Sequence, residues 1–283
     1  MKQLHLILSL IFVFVCGLKA KADDYKFELK GVQASLISEV SSITPGQKFT
    51  VAIQLQHFDG FHTYWKNPGL VGYATSVAWK LPNGFKAGNI IWQVPERSKM
   101  LKYNCHAYKG DTFLLAEIQA PEFIPDKFNI AAKVGGMSCS QKECCKIGFL
   151  DIGIELNKSE KSIENTGSKK KIDEARSKVP KVIPGISCSV LNTGDYLRVE
   201  VSGKSLNVGL DEDIYFYAEQ NITDTETGQT IIQKNDKSFV LTVKLNKFTS
   251  KGVKKLKGLL YRKIGWNPQK DQYLPIDAEI TYQ

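Results

Sequence analysis

The sequence predicts an all-β protein of two β-sandwich domains joined by a polar linker. Three observations carry this expectation. Apolar residues recur with a period of two in both halves of the chain, and turn-forming clusters of Pro, Gly and Asn separate those runs. Residues 157–181, by contrast, are rich in Lys, Ser, Glu and Asn and nearly free of large apolar side chains. A period of two sends alternate side chains to opposite faces of a sheet, one toward a core and one toward water. Short strands with frequent turns, in units of about 100 residues, are the pattern of a sandwich. No long helical period and no internal repeat competes with it.

Residues 1–22 read as a secretory signal peptide. Lys2 gives a positive start, Leu4 to Val15 run almost wholly apolar, and Ala20-Lys21-Ala22 offers a small-x-small cleavage site before Asp23. The apolar core, roughly a dozen residues, is shorter than the about twenty that span a bilayer. Lipidation at Cys16 is the rival reading, but Val15 is a poor residue before a lipidated cysteine. No later stretch is apolar for long enough to cross a membrane, so a soluble, exported, periplasmic protein is expected. In the first domain, residues 23–156, Phe49, Val51, Ile53 and Leu55 alternate with polar or small residues. So do Phe128, Ile130, Ala132 and Val134, and then Leu150, Ile152, Ile154 and Leu156. The linker at 157–181 carries one helical turn or two around Ile172 to Ser177 before Pro180 ends it. The second domain, residues 182–283, resumes the alternation at Leu197, Val199 and Val201, at Phe239, Leu241, Val243 and Leu245, and at Ile276, Ala278 and Ile280.

The formal net charge of +9 is spread along the chain, apart from the run Lys169, Lys170 and Lys171. A run of that kind is a solvated segment, and export argues against a nucleic-acid partner. There is no zinc-protease helix motif, phosphate loop or nucleotide-binding glycine fingerprint, and nothing marks a Ser-His-Asp set. No cofactor is implied.

Cysteine carries the chemistry that remains. Export makes thiols into disulfides unless something keeps them reduced. Without Cys16, five cysteines are left: Cys105, Cys139, Cys144, Cys145 and Cys188. An odd number leaves at least one free, metal-bound or paired between molecules. Cys139, Cys144 and Cys145 fall in one short loop between the strand ending near Val134 and the strand beginning near Phe149. Paired positions across antiparallel strands are close enough for a disulfide across that loop's neck. Such a bond is a poor staple, worth roughly 2 kcal/mol for a loop of about six residues against about 4.7 for a hundred. No helix begins here to favour a thiolate, so reactivity must come from strain, access and neighbours. Three readings stay open: a redox pair, a structural bond in a non-catalytic adaptor, and a soft-metal site for Cu(I). The last would use Cys139, Cys144 and Cys145 with Met137, Cys105 or His106.

Several further segments resemble a known family. They are Gly60-Phe61-His62-Thr63-Tyr64-Trp65-Lys66-Asn67-Pro68-Gly69, Trp79-Lys80-Leu81-Pro82-Asn83-Gly84-Phe85, Trp92-Gln93-Val94-Pro95-Glu96-Arg97, Tyr108-Lys109-Gly110-Asp111 and the cysteine segment itself. In order and spacing over roughly residues 33–156, the chain resembles the periplasmic N-terminal region of the thiol:disulfide interchange reductase DsbD, in particular its ScsB-like relatives. The later half matches more loosely, through Ala175-Arg176, Ile214-Tyr215-Phe216-Tyr217 and Leu256-Lys257-Gly258-Leu259-Leu260.

The resemblance implies immunoglobulin-like domains and one redox-active disulfide. That disulfide takes electrons from a membrane-embedded thiol donor and passes them to thioredoxin-like periplasmic proteins. It pairs Cys139 with Cys144, with Cys145 as the alternative partner. His62 and Tyr64 match positions flanking the disulfide, and Glu96 to His106 matches a capping loop, with Met100, Leu101 and Tyr103 as its apolar lid and Cys105 within it. The sequence departs from the family in two ways. Lys146 and Ile147 stand where a proline commonly follows the second cysteine. The family also continues into a membrane domain and a thioredoxin-like domain, whereas this sequence ends at Gln283, which leads us to expect a separate membrane donor.

Overall fold

The computed structural model describes residues 29–140, 146–204, 206, 213–247, 249 and 252–283. The signal peptide expected at 1–22, and Cys144 and Cys145, lie outside the described residues.

The chain up to residue 164 forms strands β1 (Val32–Ser38), β2 (Val40–Ile43), β3 (Lys48–His57), β4 (Phe61–Tyr64), β5 (Ser76–Lys80) and β6 (Lys86–Ala87). These are followed by β7 (Glu96–Met100), β8 (Tyr103–Tyr108), β9 (Asp111–Gln119), β10 (Lys127–Ser140), β11 (Ile147–Lys158) and β12 (Ile163–Glu164). One sheet has the order β1-β3-β9-β6. The other runs β12-β2-β11-β10-β4-β8-β7, with β5 also paired to β10. The alternating residues read from the sequence meet between the sheets, where Phe49, Val51, Ile53 and Leu55 of β3 face a cluster that includes Phe128, Ile130 and Val134 of β10.

β10 is the strand that positions the site. It pairs with β11 from Lys127 to Met137, borders β5 from Ala131 to Gly135, and then exchanges β5 for β4 at Ser138 to Ser140. The exchange falls at Gly135-Gly136. A Cβ on Gly135 would lie 2.7 Å from the Phe149 ring, so the ring can cross the strand only where a side chain is missing.

The polar stretch holds more structure than the helical turn or two expected of it. Helix α1 spans Thr166–Ser177, its N-terminus capped by the Asn165 side chain, which accepts from the Ser168 backbone N–H. Intrinsic propensity is weak here, and the helix stands because it docks. Ile172 and Ala175, one turn apart, pack on Ala52 of β3 and Leu115 of β9, and Arg176 reaches Glu39 and the Thr50 hydroxyl. This explains why Ala52 is buried although the period of two placed it on an outer face.

Residues 186–282 hold β13 (Ile186–Asn192), β14 (Tyr196–Gly203), β15 (Ile214–Ala218), β16 (Thr230–Asn235), β17 (Ser238–Lys244), β18 (Lys255–Arg262) and β19 (Tyr273–Tyr282). Their ladder runs β15-β18-β19-β13-β14-β17-β16 and encloses a core of its own, centred on Val199, Val201, Phe216, Phe239, Leu241, Leu260 and Trp266. The architecture is all-β, two sandwiches, as the sequence pattern predicts.

Candidate functional site

Where β10 joins β4, Cys139 lies directly opposite His62, and Ser138 opposite Thr63. β4 in turn pairs with β8, Tyr64 opposite Ala107. Side chains paired in this way share one face with Cβ atoms about 4.5–5.5 Å apart. Tyr64, Cys105, Ala107 and Cys139 accordingly form one buried cluster, with Val71, Met100 and Met137 packed against it. Cys139 is only 2 % exposed and His62 3 %. The two rings of His62 and Tyr64 meet edge-on at 5.2 Å between centroids. Above Tyr64 the chain passes at Gly72, with φ +96°, where a Cβ would lie 2.3 Å from the ring, so this close approach needs glycine on both counts.

The segment expected to cap the site is a hairpin, β7 with β8, hydrogen-bonded to the edge of β4. Met100 packs inward on the cysteine cluster. Leu101, at φ 55°, holds the tip and is 71 % exposed, and Tyr103 is also exposed. Of the three lid residues read from the sequence, Met100 therefore packs against the cysteine cluster and the other two are exposed. Cys105, opposite Ser98 across the hairpin, is buried in the same cluster. Burial pushes its thiol up to about 11, the neighbouring Cys139 pushes the same way, and Lys109 opposes both. Cys188 is a separate thiol packed against the second core, pushed up to about 11 by burial alone. Among the described residues Cys105, Cys139 and Cys188 are free thiols, and no group of three or more His, Cys, Asp or Glu is gathered as a metal site.

The back of the hairpin rests on the second sandwich. Arg97 forms a two-pronged ion pair with Asp213 at 2.8 and 3.0 Å and lies over the Tyr215 ring. The Asn104 backbone N–H donates to Glu226 at 2.6 Å. Asn67, in the loop after β4, donates from its amide to the Ala218 and Gln220 carbonyls, both at 2.8 Å. Tyr217 and Leu259 belong to the same buried cluster as the first sandwich's core.

His106 joins these parts. Its Nδ1 is 3.1 Å from the Asn67 carbonyl, which can only accept, so Nδ1 carries the proton. Burial holds its pKa down at about 4, against a weaker upward pull from Asn67. The ring is thus neutral, and Nε2 accepts from the Tyr215 hydroxyl at 3.0 Å.

Asn67, Arg97 and Tyr215 carry no role of their own in the sequence, and His106 stands there only as the end of the capping segment and as a candidate soft-metal ligand. A signal was present in Tyr215-Phe216-Tyr217. Three successive aromatics in one strand put large rings on both faces, and both faces then need cover.

A pH dependence of stability follows. His62 is also held at about 4, by burial first and then by the charges of Lys109 and His57. Both histidines have folded pKa values below the ordinary 6.5, so the unfolded chain binds more protons below that pH. The stability contributed by the neutral rings is complete above about 6.5 and is lost as pH falls toward 4. For His106 alone the loss at pH 5 is roughly 2 kcal/mol. Urea unfolding at pH 7.5 and pH 5 measures it, and His106→Gln is expected to flatten that slope.

The chain is thus a pair of all-β sandwiches with a buried cysteine at a strand exchange and a hairpin packed against it. Residues 32–148 match the family model described as "Thiol:disulfide interchange protein DsbD, N-terminal", which bears out the resemblance read in the sequence. The chain also superposes on the crystal structure of the N-terminal periplasmic domain of ScsB from Proteus mirabilis, with a TM-score of 0.64 and 17 % identity, covering 89 % of this chain and 94 % of that one. The major pilin subunit BcpA of Bacillus cereus is matched at a TM-score of 0.26 and 9 % identity over 89 % of this chain and 68 % of the other, a likeness too slight to bear on the fold. No curated protein sequence matches the chain at a significant level. No helix of the described residues is long and apolar enough to cross a membrane.

Proposed function

We propose that the protein is a periplasmic thiol:disulfide interchange module that relays electrons through a disulfide between Cys139 and Cys144, with Cys145 as the alternative partner. The observation that carries this reading is the place of Cys139. It is buried at the strand exchange beneath Met100, inside the segment that matches the DsbD N-terminal family. A buried sulfur cannot meet another protein's disulfide directly. Cys139 is therefore the inner sulfur, and exchange with partners falls to the second cysteine of the loop. The partners are a membrane-embedded thiol donor and thioredoxin-like acceptors. Residues 23–156 form the redox domain after removal of a leader at 1–22, residues 157–181 connect it, and residues 182–283 form the second domain that supports the hairpin.

The test is to equilibrate the protein in dithiothreitol buffers of graded potential, label free thiols and read the pairing by mass spectrometry. A single pair containing Cys139, with a potential above about −300 mV, is expected. A lower potential would make the bond a structural one, and the protein an adaptor.

A further inference from the structure

We infer that His62, through Nε2, is the hydrogen-bond donor that holds the Cys139 sulfur while that sulfur carries the negative charge of a leaving thiolate. The inference deepens the interchange reading and rests on it. Three observations meet at this residue. His62 is the cross-strand partner of Cys139, on the same face of the sheet. It is almost completely buried. Its Nε2 has no hydrogen-bond partner among the described residues. His57, five residues back along the chain, spends both ring nitrogens, on the Gly110 carbonyl at 2.7 Å and the Thr63 hydroxyl at 2.8 Å. A buried polar atom left unpaired is costly, and one on the cross-strand partner of a reactive cysteine has a use for that cost.

The surroundings suit a neutral donor. The edge-on Tyr64 ring packs against the imidazole, and Lys109 and His57 are the charged or titratable groups acting on it. With burial and those positive neighbours holding the ring unprotonated above about pH 5, it donates as imidazole and does not give up its proton.

In the exchange step a partner's thiolate attacks the sulfur of the second cysteine of the pair. The bond between that sulfur and the partner forms as the bond to Cys139 breaks, and the bonding electrons leave on Cys139 Sγ, which accepts the Nε2–H. The partner's second thiolate then attacks its own sulfur in the mixed disulfide and closes the partner's disulfide. The second cysteine is released as a thiolate, and both thiolates take protons from water. The partner dithiol is oxidised and the pair is reduced by two electrons. His62 keeps its proton throughout.

The experiment follows reduction of the oxidised full-length protein by dithiothreitol from pH 5.5 to 8. His62→Leu, which fills the space without a donor, is expected to react about ten- to hundredfold more slowly, the value of one charge-assisted hydrogen bond. The ratio to wild type should stay constant across that range, because the donor is neutral throughout. His62→Gln, which restores an N–H, should return to within about threefold of wild type. A His62→Leu rate within about twofold of wild type would overturn the inference, as would a His62→Gln rate no better than that of His62→Leu. A measurement on wild type does not depend on whether the variants fold. The ¹⁵N shifts of labelled His62 in the reduced protein should show the Nε2–H tautomer, and a bare Nε2 would also overturn the proposal. If wild type forms no disulfide through Cys139, the interchange reading itself fails. A normal wild-type disulfide with unchanged variant kinetics sinks only the role of His62.

Discussion

Changing Cys139 to serine is expected to reduce disulfide exchange to background while leaving the fold in place. Serine is close in size, so the buried cluster with Tyr64, Cys105 and Met137 keeps its shape. The cost is that of burying a hydroxyl without a built partner, on the order of 1–3 kcal/mol. Chemically the change is complete. The second cysteine of the proposed pair can still attack a partner's disulfide, but no inner thiolate remains to resolve the mixed disulfide. The variant should therefore accumulate as a covalent complex with a thioredoxin-like acceptor, visible on a non-reducing gel and released by reductant. Cys188→Ser is the control, because that thiol packs against the other core and its loss should leave exchange unchanged. Turnover retained by Cys139→Ser would move the active pair elsewhere.

Trp65→Ala is expected to destabilise the protein by about 3–5 kcal/mol, the usual cost of emptying a large aromatic site. Trp65 is buried in the main core of the first sandwich. Its ring also stands edge-on to His106 at 6.1 Å and to Tyr217 of the second sandwich at 6.4 Å. The substitution therefore strikes the seam as well as the core. Its buried indole N–H has no hydrogen-bond partner among the described residues, so removing it relieves a small penalty, and the lower end of the range is the better expectation. Urea unfolding followed by calorimetry should show one wild-type transition separating into two as the sandwiches lose their coupling. A change below about 1 kcal/mol would show that the seam is held by Asn67, Arg97 and His106 without the indole.

Much of this was legible in the sequence, and the remainder was hidden for identifiable reasons. The strands declared themselves because Phe49 to Leu55, Phe128 to Val134 and Leu197 to Val201 alternate cleanly. The cysteine segment stood out by spacing alone. His62 and Tyr64 were found by resemblance, and the register of β4 against β10 places both beside Cys139. The docked helix was not legible, because Ile172 and Ala175 are too few to make an apolar stripe, and their significance depends on Ala52 and Leu115 more than fifty residues away. The seam was hidden for a similar reason. Asn67 looks like a turn residue in Asn67-Pro68-Gly69, and only the structure shows its amide bonded to carbonyls 151 and 153 residues further on. The lid was half legible, since an apolar triplet can be read from sequence but the turn at Leu101, which sends two of its members outward, cannot.

The docking of α1 fixes where this protein can be cut. A fragment ending at Leu156 would look like a clean single unit by composition. It would nevertheless lose the helix that shields Ala52 and Leu115, together with the Arg176 bond to Glu39. Such a fragment would carry a newly wetted greasy patch on the back of β3 and β9, a surface inclined to self-associate at the concentrations used for spectroscopy. A fragment carried on through Val179, itself packed against that patch, keeps the shield, and light scattering of the two lengths side by side would show the difference.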